Sequence, residues 1–122
     1  MASNMSKSGK YMGCRVAKWL RLAIYIRDNF TCQHCGDDLH GAKPNDINLD
    51  HVIPQSQGGT NDPTNLITSC QWCNKRRQAK TIAQFHPGKE GKWARNRIAK
   101  AMARTINKAM AKSLVAAQKA SK

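Results

Sequence analysis

Apolar residues recur along this chain in more than one rhythm, and each rhythm predicts a different element. In CRVAKWLRLAIYIRD, residues 14–28, Val16, Leu20 and Ile24 step by four, and Trp19, Ala23 and Ile26 widen the stripe. That spacing keeps one face of a helix apolar, so a helix is expected over 14–28. Lys18, Arg21 and Arg27 fall outside the stripe and read as solvated, and Asn29 suits the helix C-terminus. INLDHVI, Ile47 to Ile53, alternates apolar residues with others, which predicts a short strand ended by Pro54. Leu66 to Thr68 reads as a second short strand, followed by a helix from near Trp72 to about Lys80. In the tail, Ile98, Met102, Ile106, Met110 and Leu114 step by four, while Lys100, Arg104, Lys108 and Lys112 do the same two positions out of phase. Two positions are about 200° around a helix, so one nearly uninterrupted helix over 90–118 is expected, apolar on one face and basic on the other.

Polar stretches divide these elements. Met1 to Lys10 holds no apolar pattern and reads as disordered. Cys32 to Gly36 reads as a tight turn in which the glycine permits a positive φ. Gly41 to Asn45 reads as loop. Gln55 to Asn65, QSQGGTNDPTN, is too long for an ordinary hairpin connection, and loops of that length usually carry function. Pro87 and Gly88 break the chain before the tail. The expected organisation is a polar start over 1–10, a small domain over 11–88 and a basic helical extension over 89–122.

Charge changes the picture. The 122 residues hold 21 Lys plus Arg against 7 Asp plus Glu, a net charge of +14. Residues 89–122 alone carry ten basic residues and one acid. Such a balance favours polyanionic partners, although a solubilising surface is the plain alternative. The start of the chain shows no apolar signal-peptide core, and no stretch is long enough to span a bilayer. A reducing cytoplasm is the expected setting, where grouped cysteines read as metal ligands.

Four of the five cysteines form two pairs, Cys32-x-x-Cys35 and Cys70-x-x-Cys73. Two-residue spacing lets both sulfurs of a pair reach one tetrahedral Zn²⁺. Such a staple would serve a domain too small to rely on its core. Redox CxxC motifs or buried free thiols are the competing reading. Four thiolates leave no open position for water, so the expected role is structural. Cys14 is left over and reads as a small, half-buried hydrophobe.

Between and around the pairs stand Asp50-His51-Val52-Ile53-Pro54, Gly58-Gly59, Asn65-Leu66 and Cys73-Asn74, then Lys75-Arg76-Arg77, with Arg27-Asp28 ahead of the first pair. In that order they resemble the HNH endonuclease family, over about residues 19–81. The resemblance implies a small α+β fold: a ββα-metal core stapled by a four-cysteine zinc, with an N-terminal helix and a long basic C-terminal helix. It also implies a metal-dependent DNA endonuclease that leaves 5′-phosphate and 3′-hydroxyl ends. Asn74 stands where the last His of the motif often is, an HNN variant whose amide oxygen suits Mg²⁺ or Mn²⁺.

Phosphodiester hydrolysis needs a base to take a proton from water and a cation to offset charge on the phosphorus and leaving oxygen. His51 has the right pKa range for the base. Asp50 and Asn74 would hold the one catalytic cation, and the resemblance gives Asn65 the task of bracing the loop so that His51 points correctly. Because neighbouring strand residues face opposite ways, Asp50 and His51 can share a site only if the strand end is irregular, as the family implies. Lys75, Arg76, Arg77 and Lys80 are candidate phosphate contacts, as are Lys100, Arg104, Lys108 and Lys112. His34, His40 and His86 read as knuckle or surface residues, and Trp72 as packing on the knuckle. The expected partner is double-stranded DNA, with RNA, a dimer and a larger DNA-processing complex left open. The alternative function is a zinc-dependent DNA-binding or accessory module, such as one for phage genome packaging. No membrane role is expected, since the tail's apolar face is mostly Ala, Met and Ile.

Overall fold

The structure is a computed structural model describing residues 16–104, 106 and 108–120, with two extended dipeptides, Asn4–Met5 and Ser8–Gly9, that pair in parallel near the start. Cys14, and the polar segment 1–10 apart from those dipeptides, lie outside the described residues.

Helix α1 runs Lys18–Arg27, within the expected span, and buries Ala23, Ile24 and Tyr25. Asn29 follows with φ 56°. That left-handed conformation suits an asparagine just past a helix. A knuckle, Cys32 to Gly36, turns on two backbone bonds, Cys32 N–H to Asp37 O at 2.9 Å and Gly36 N–H to Cys32 O at 2.8 Å.

Strand β1, Ile47–His51, pairs antiparallel with β2, Leu66–Cys70, in a register that sets Ile47 against Cys70 and His51 against Leu66. β2 is two residues longer than the sequence suggests, because Ser69 and Cys70 continue the ladder. The connection is the polar loop 52–65, ordered by two 3₁₀ turns, Gln55–Gln57 and Pro63–Asn65. Helix α2, Gln71–Arg77, follows β2 directly and completes a ββα unit. It stops at Gln78, φ 53°, short of Lys80. A further short helix, α3, Ile82–Phe85, is started by a capping box between Thr81 and Gln84. Thr81-x-x-Gln84 is a readable signal that the apolar pattern hid.

β2 is buried at every position and organises the interior. Leu66 joins Ala23, Ile24, Ile106, Ala111 and Val115 in one core cluster. Its neighbour Ile67 points the other way, into a cluster with Val52, Ile98 and Ala101. A third cluster, Cys32, Leu39, Cys70 and Cys73, gathers around the knuckles. Each buried aliphatic side chain of this kind stabilises the fold by roughly 1.5–3 kcal/mol.

The tail departs from expectation. It is not one helix but two, α4 over Lys92–Ala103 and α5 over Lys108–Ala120. α4 lies on the ββα unit through Ile98 and Ala101, and α5 packs on α1 through Ala111 and Val115. Ile106, in the break, is itself buried at 8% exposure. Past the break the four-residue stripe no longer marks the buried face, for Met110 is 49% exposed. A straight helix over 90–118 would be about 44 Å long and would carry its second half past any core. Two helices, one ending at Ala103 and the other beginning at Lys108, each find one.

The charged pair before the first knuckle is internal. Arg27 and Asp28 form an ion pair at 2.8 Å with side chains 4% and 0% exposed. Arg27 also donates to Pro63 O at 3.0 Å and Leu66 O at 2.6 Å, while Asp28 Oδ2 accepts from Thr68 N–H at 2.9 Å. Arg27 is therefore a cross-brace between α1 and β2, not the solvated residue its place on the helical wheel suggests.

Candidate active site and metal centre

The knuckles bring four thiols together. The sulfurs of Cys32, Cys35, Cys70 and Cys73 all lie within 4.8 Å of one another, with Cys35 and Cys70 3.9 Å apart. Tetrahedral coordination at metal–sulfur distances of about 2.3 Å places sulfurs about 3.8 Å apart, so the cluster could hold a metal ion. Cys70 sits at the N-terminus of α2, where its sulfur accepts from Cys73 N–H at 3.4 Å. Burial, together with the neighbouring Cys32 sulfur, pushes the Cys35 thiol up to about 11. Burial would also raise Cys32, but backbone N–H groups of Cys35, Cys70 and His34 bring it below the usual thiol range. A bound cation would offset the burial that holds the Cys35 thiol in its protonated form.

Asp50 lies inside, 7% exposed, and both of its bonds fall on one oxygen. Oδ2 accepts from His34 Nε2 at 2.6 Å and from Arg77 Nη1 at 2.8 Å. Although burial opposes it, these two donors and the Arg77 charge hold the carboxyl below its ordinary range. Oδ1 makes no hydrogen bond to the described residues. Asn74, half-buried on α2, likewise makes none with its side chain. An ionised carboxylate with one open oxygen and an uncommitted amide are a donor set that fits a hard divalent cation.

Arg77 is 1% exposed, which corrects its expected place among the phosphate contacts. Its guanidinium meets Asp50, His51 O at 2.7 Å and Val52 O, and its Nε donates to Lys80 O at 3.0 Å. Every arm is committed, and the side chain clamps the end of β1 onto α2. Sequence reasoning placed it outside because position 77 follows two exposed basic residues, whereas the helix turns it inward beside Cys73.

His51 is half-buried, and its Nε2 lies 2.7 Å from Asn61 Oδ1. That oxygen also accepts from Gln55 Nε2 at 3.4 Å, which marks it as an acceptor and makes Nε2 the protonated nitrogen of a neutral His51. The lone pair is then on Nδ1. Asn61, within TND of the loop, is a site residue the sequence reading missed.

Asn65 braces that loop. Its Oδ1 accepts from Ile53 N–H at 2.8 Å, and its Nδ2 donates to Ile53 O at 3.1 Å and Thr60 O at 2.9 Å. Gly59 fits beneath this brace because a Cβ there would overlap the Ile53 carbonyl. β1 stays regular through His51, so the irregular strand end expected at Asp50-His51 begins only at Val52. Asp50 accordingly turns to His34 and Arg77, and His51 to the loop.

Two histidines read as knuckle or surface residues are site neighbours. His34 is 4% exposed and bridges Asp50 to His86, with Nδ1 2.8 Å from His86 Nε2. Burial, the His34 ring and nearby arginines push His86 down to about 4. His40 does lie on the surface, bonded to Asp38 at 2.6 Å. Trp72 does not pack on the knuckle: it is 62% exposed, with Arg76 4.4 Å over its ring. Lys75, Arg76, Lys80, Lys100, Arg104 and Lys112 are exposed, and the side chain of Lys108 lies outside the described residues. No helix among the described residues is long and apolar enough to cross a membrane.

The site thus combines a ββα unit, a helix that begins at a four-thiol cluster, and a first strand that ends in Asp-His. The family model for HNH endonuclease matches residues 32–80, so this segment is similar to an HNH endonuclease domain. The match spans both knuckles, Asp50, His51, Asn65, Asn74 and Arg77. The search of curated proteins found no match.

Proposed function

We propose that the chain is a DNA endonuclease that hydrolyses phosphodiester bonds with one divalent cation, Mg²⁺ or Mn²⁺, held by Asp50 Oδ1 and Asn74, and that Zn²⁺ fills the four-thiol site. The observation that supports it best is the pairing of an aimed imidazole with a half-committed carboxylate. His51 carries its proton on Nε2 against Asn61, which leaves Nδ1 to take a proton from water. Asp50 has one oxygen tied and one open. When bound, the cation offsets charge on the phosphate and the leaving oxygen.

The remaining residues position these groups. Asn65 and Gly59 hold the loop that carries Asn61, and Arg77 clamps Asp50 and the end of β1 onto α2. Lys75, Arg76 and Lys80 on the HNH segment, with Lys100, Arg104, Lys108 and Lys112 on the tail, would contact backbone phosphates. For the four thiols, zinc is favoured by soft donors and a fourfold site with no place for water.

The test is cleavage of supercoiled plasmid with Mg²⁺ or Mn²⁺, with an EDTA control. One site per chain predicts nicked circles first. His51→Ala should lower the rate about 10²–10⁴-fold, the usual contribution of a general base. A folded, zinc-loaded protein that binds plasmid and leaves it intact with every metal would reject the enzyme reading in favour of a DNA-binding module.

A further inference from the structure

Outside the groups already given roles, the most constrained polar feature among the described residues is the pair of buried His34 and half-buried His86. His34 lies between two knuckle cysteines, and its side chain is 0% exposed. Phe85 meets its ring edge-on with centroids 5.2 Å apart, and His86 stacks on it at 5.0 Å. Both of its nitrogens are used, Nε2 toward Asp50 and Nδ1 toward His86. An ionised carboxylate only accepts, so His34 Nε2 donates to Asp50 Oδ2 while its Nδ1 is bonded to His86 Nε2.

His86 is itself fixed from beyond the HNH segment. Its carbonyl accepts from Arg95 Nη1 of α4 at 2.6 Å, and Gly91 packs so closely that a Cβ would overlap that carbonyl. On the knuckle side, Arg97 Nη1 donates to Gln33 O at 3.1 Å. A chain of hydrogen bonds thus runs from α4 through His86 and His34 to the carboxylate.

We propose that His34 is a positioning residue for the divalent-cation site: with His86 behind it, it turns the Asp50 carboxylate so that Oδ1 faces the cation. This rests on the reading of Asp50 as a ligand. Donors that orient a ligating carboxylate from behind typically change metal affinity 10–100-fold when removed. Here the donor comes from the thiol knuckle and its own anchor from the segment after the HNH domain, so both would influence the cation without touching it.

The experiment measures Mn²⁺ affinity of the zinc-loaded full chain by the loss of the free-ion electron paramagnetic resonance signal, with zinc content determined in every variant. His34→Ala should weaken Mn²⁺ binding by about 10–100-fold while zinc stays equimolar. His34→Gln, whose amide can donate to Asp50 and accept from His86, should recover most of the loss. His86→Phe changes no residue of the knuckle and should weaken binding several-fold, so it carries the test if His34→Ala sheds zinc. Wild-type Mn²⁺ affinity in both His34→Ala and His86→Phe would overturn the proposal. If Asp50→Ala binds Mn²⁺ as the wild type does, the ligand reading of Asp50 fails, and the proposal falls with it.

Discussion

Asp28 shows how much one interior charge does in a domain of this size. Its carboxylate is fully shielded and meets both the Arg27 guanidinium and the Thr68 amide. Removing one partner of such a pair leaves the other charge buried, which costs about 3–5 kcal/mol. Asp28→Asn should therefore lower the urea midpoint by that equivalent, with the far-ultraviolet spectrum unchanged at zero denaturant if the domain survives. Gly59→Ala should act on the loop instead. The new methyl overlaps the Ile53 carbonyl, so the Asn65 brace must open. We expect plasmid cleavage to be lost while zinc content is retained. At this scale the sequence was readable wherever a residue's neighbours in the chain are also its partners. Cys32 and Cys35 share a turn, and their pairing could be read from spacing. His34, Asn61 and Arg77 could not be read that way, because their partners stand 52, 10 and 27 positions away.

At the scale of elements, α3 and the turn after it hold His86 against the knuckle. Its depressed pKa, about 4, means that the fold binds the neutral ring. Between that value and the ordinary histidine range the unfolded chain carries more protons, so stability is full above about pH 6.5 and falls as pH drops toward 4. The groups facing His86 are His34, Arg77, Arg95 and Arg97, and all disfavour its charged form. Chemical denaturation across this window should show a shallower pH slope in His86→Gln than in the wild type. The strands and α1 were legible because their apolar patterns are short and unambiguous. The tail misled, since a four-residue stripe that runs on through Ile106 and Met110 looks the same whether or not the chain bends. What decides the bend is the reach of the core, which periodicity does not encode. Truncation before Lys108 should expose Ala23 and Ile24 and cut the melting temperature sharply by differential scanning calorimetry.

For the whole molecule, charge and metal set the behaviour. The net charge of +14 lies on the stretch before the first knuckle and on the tail, since residues 32–80 balance five basic against five acidic residues, so DNA affinity should fall linearly on a logarithmic salt scale. Charge-neutralising changes at Lys100 and Lys112 should reduce that slope by about one each if both contact phosphates, as read by fluorescence anisotropy with a labelled duplex. The zinc expected in the four-thiol site would tie the turn after α1 to the start of α2. A strong chelator should then abolish cooperative melting, and equimolar Zn²⁺ should restore it.

Helices α1 and α5 lie on opposite sides of the HNH segment in the chain yet share one core cluster. During synthesis α1 leaves the ribosome early, and its apolar face waits through the translation of everything between. At roughly 5–20 residues per second that interval is several seconds, long against the microsecond formation of a helix. The ββα unit can close its own ladder and gather its four thiols in that time, but the first cluster is completed only when Val115 arrives. Helix α5, made well after α1, thus acts as its keystone, and a ribosome that pauses before α5 would leave the ββα unit formed and its flank still open.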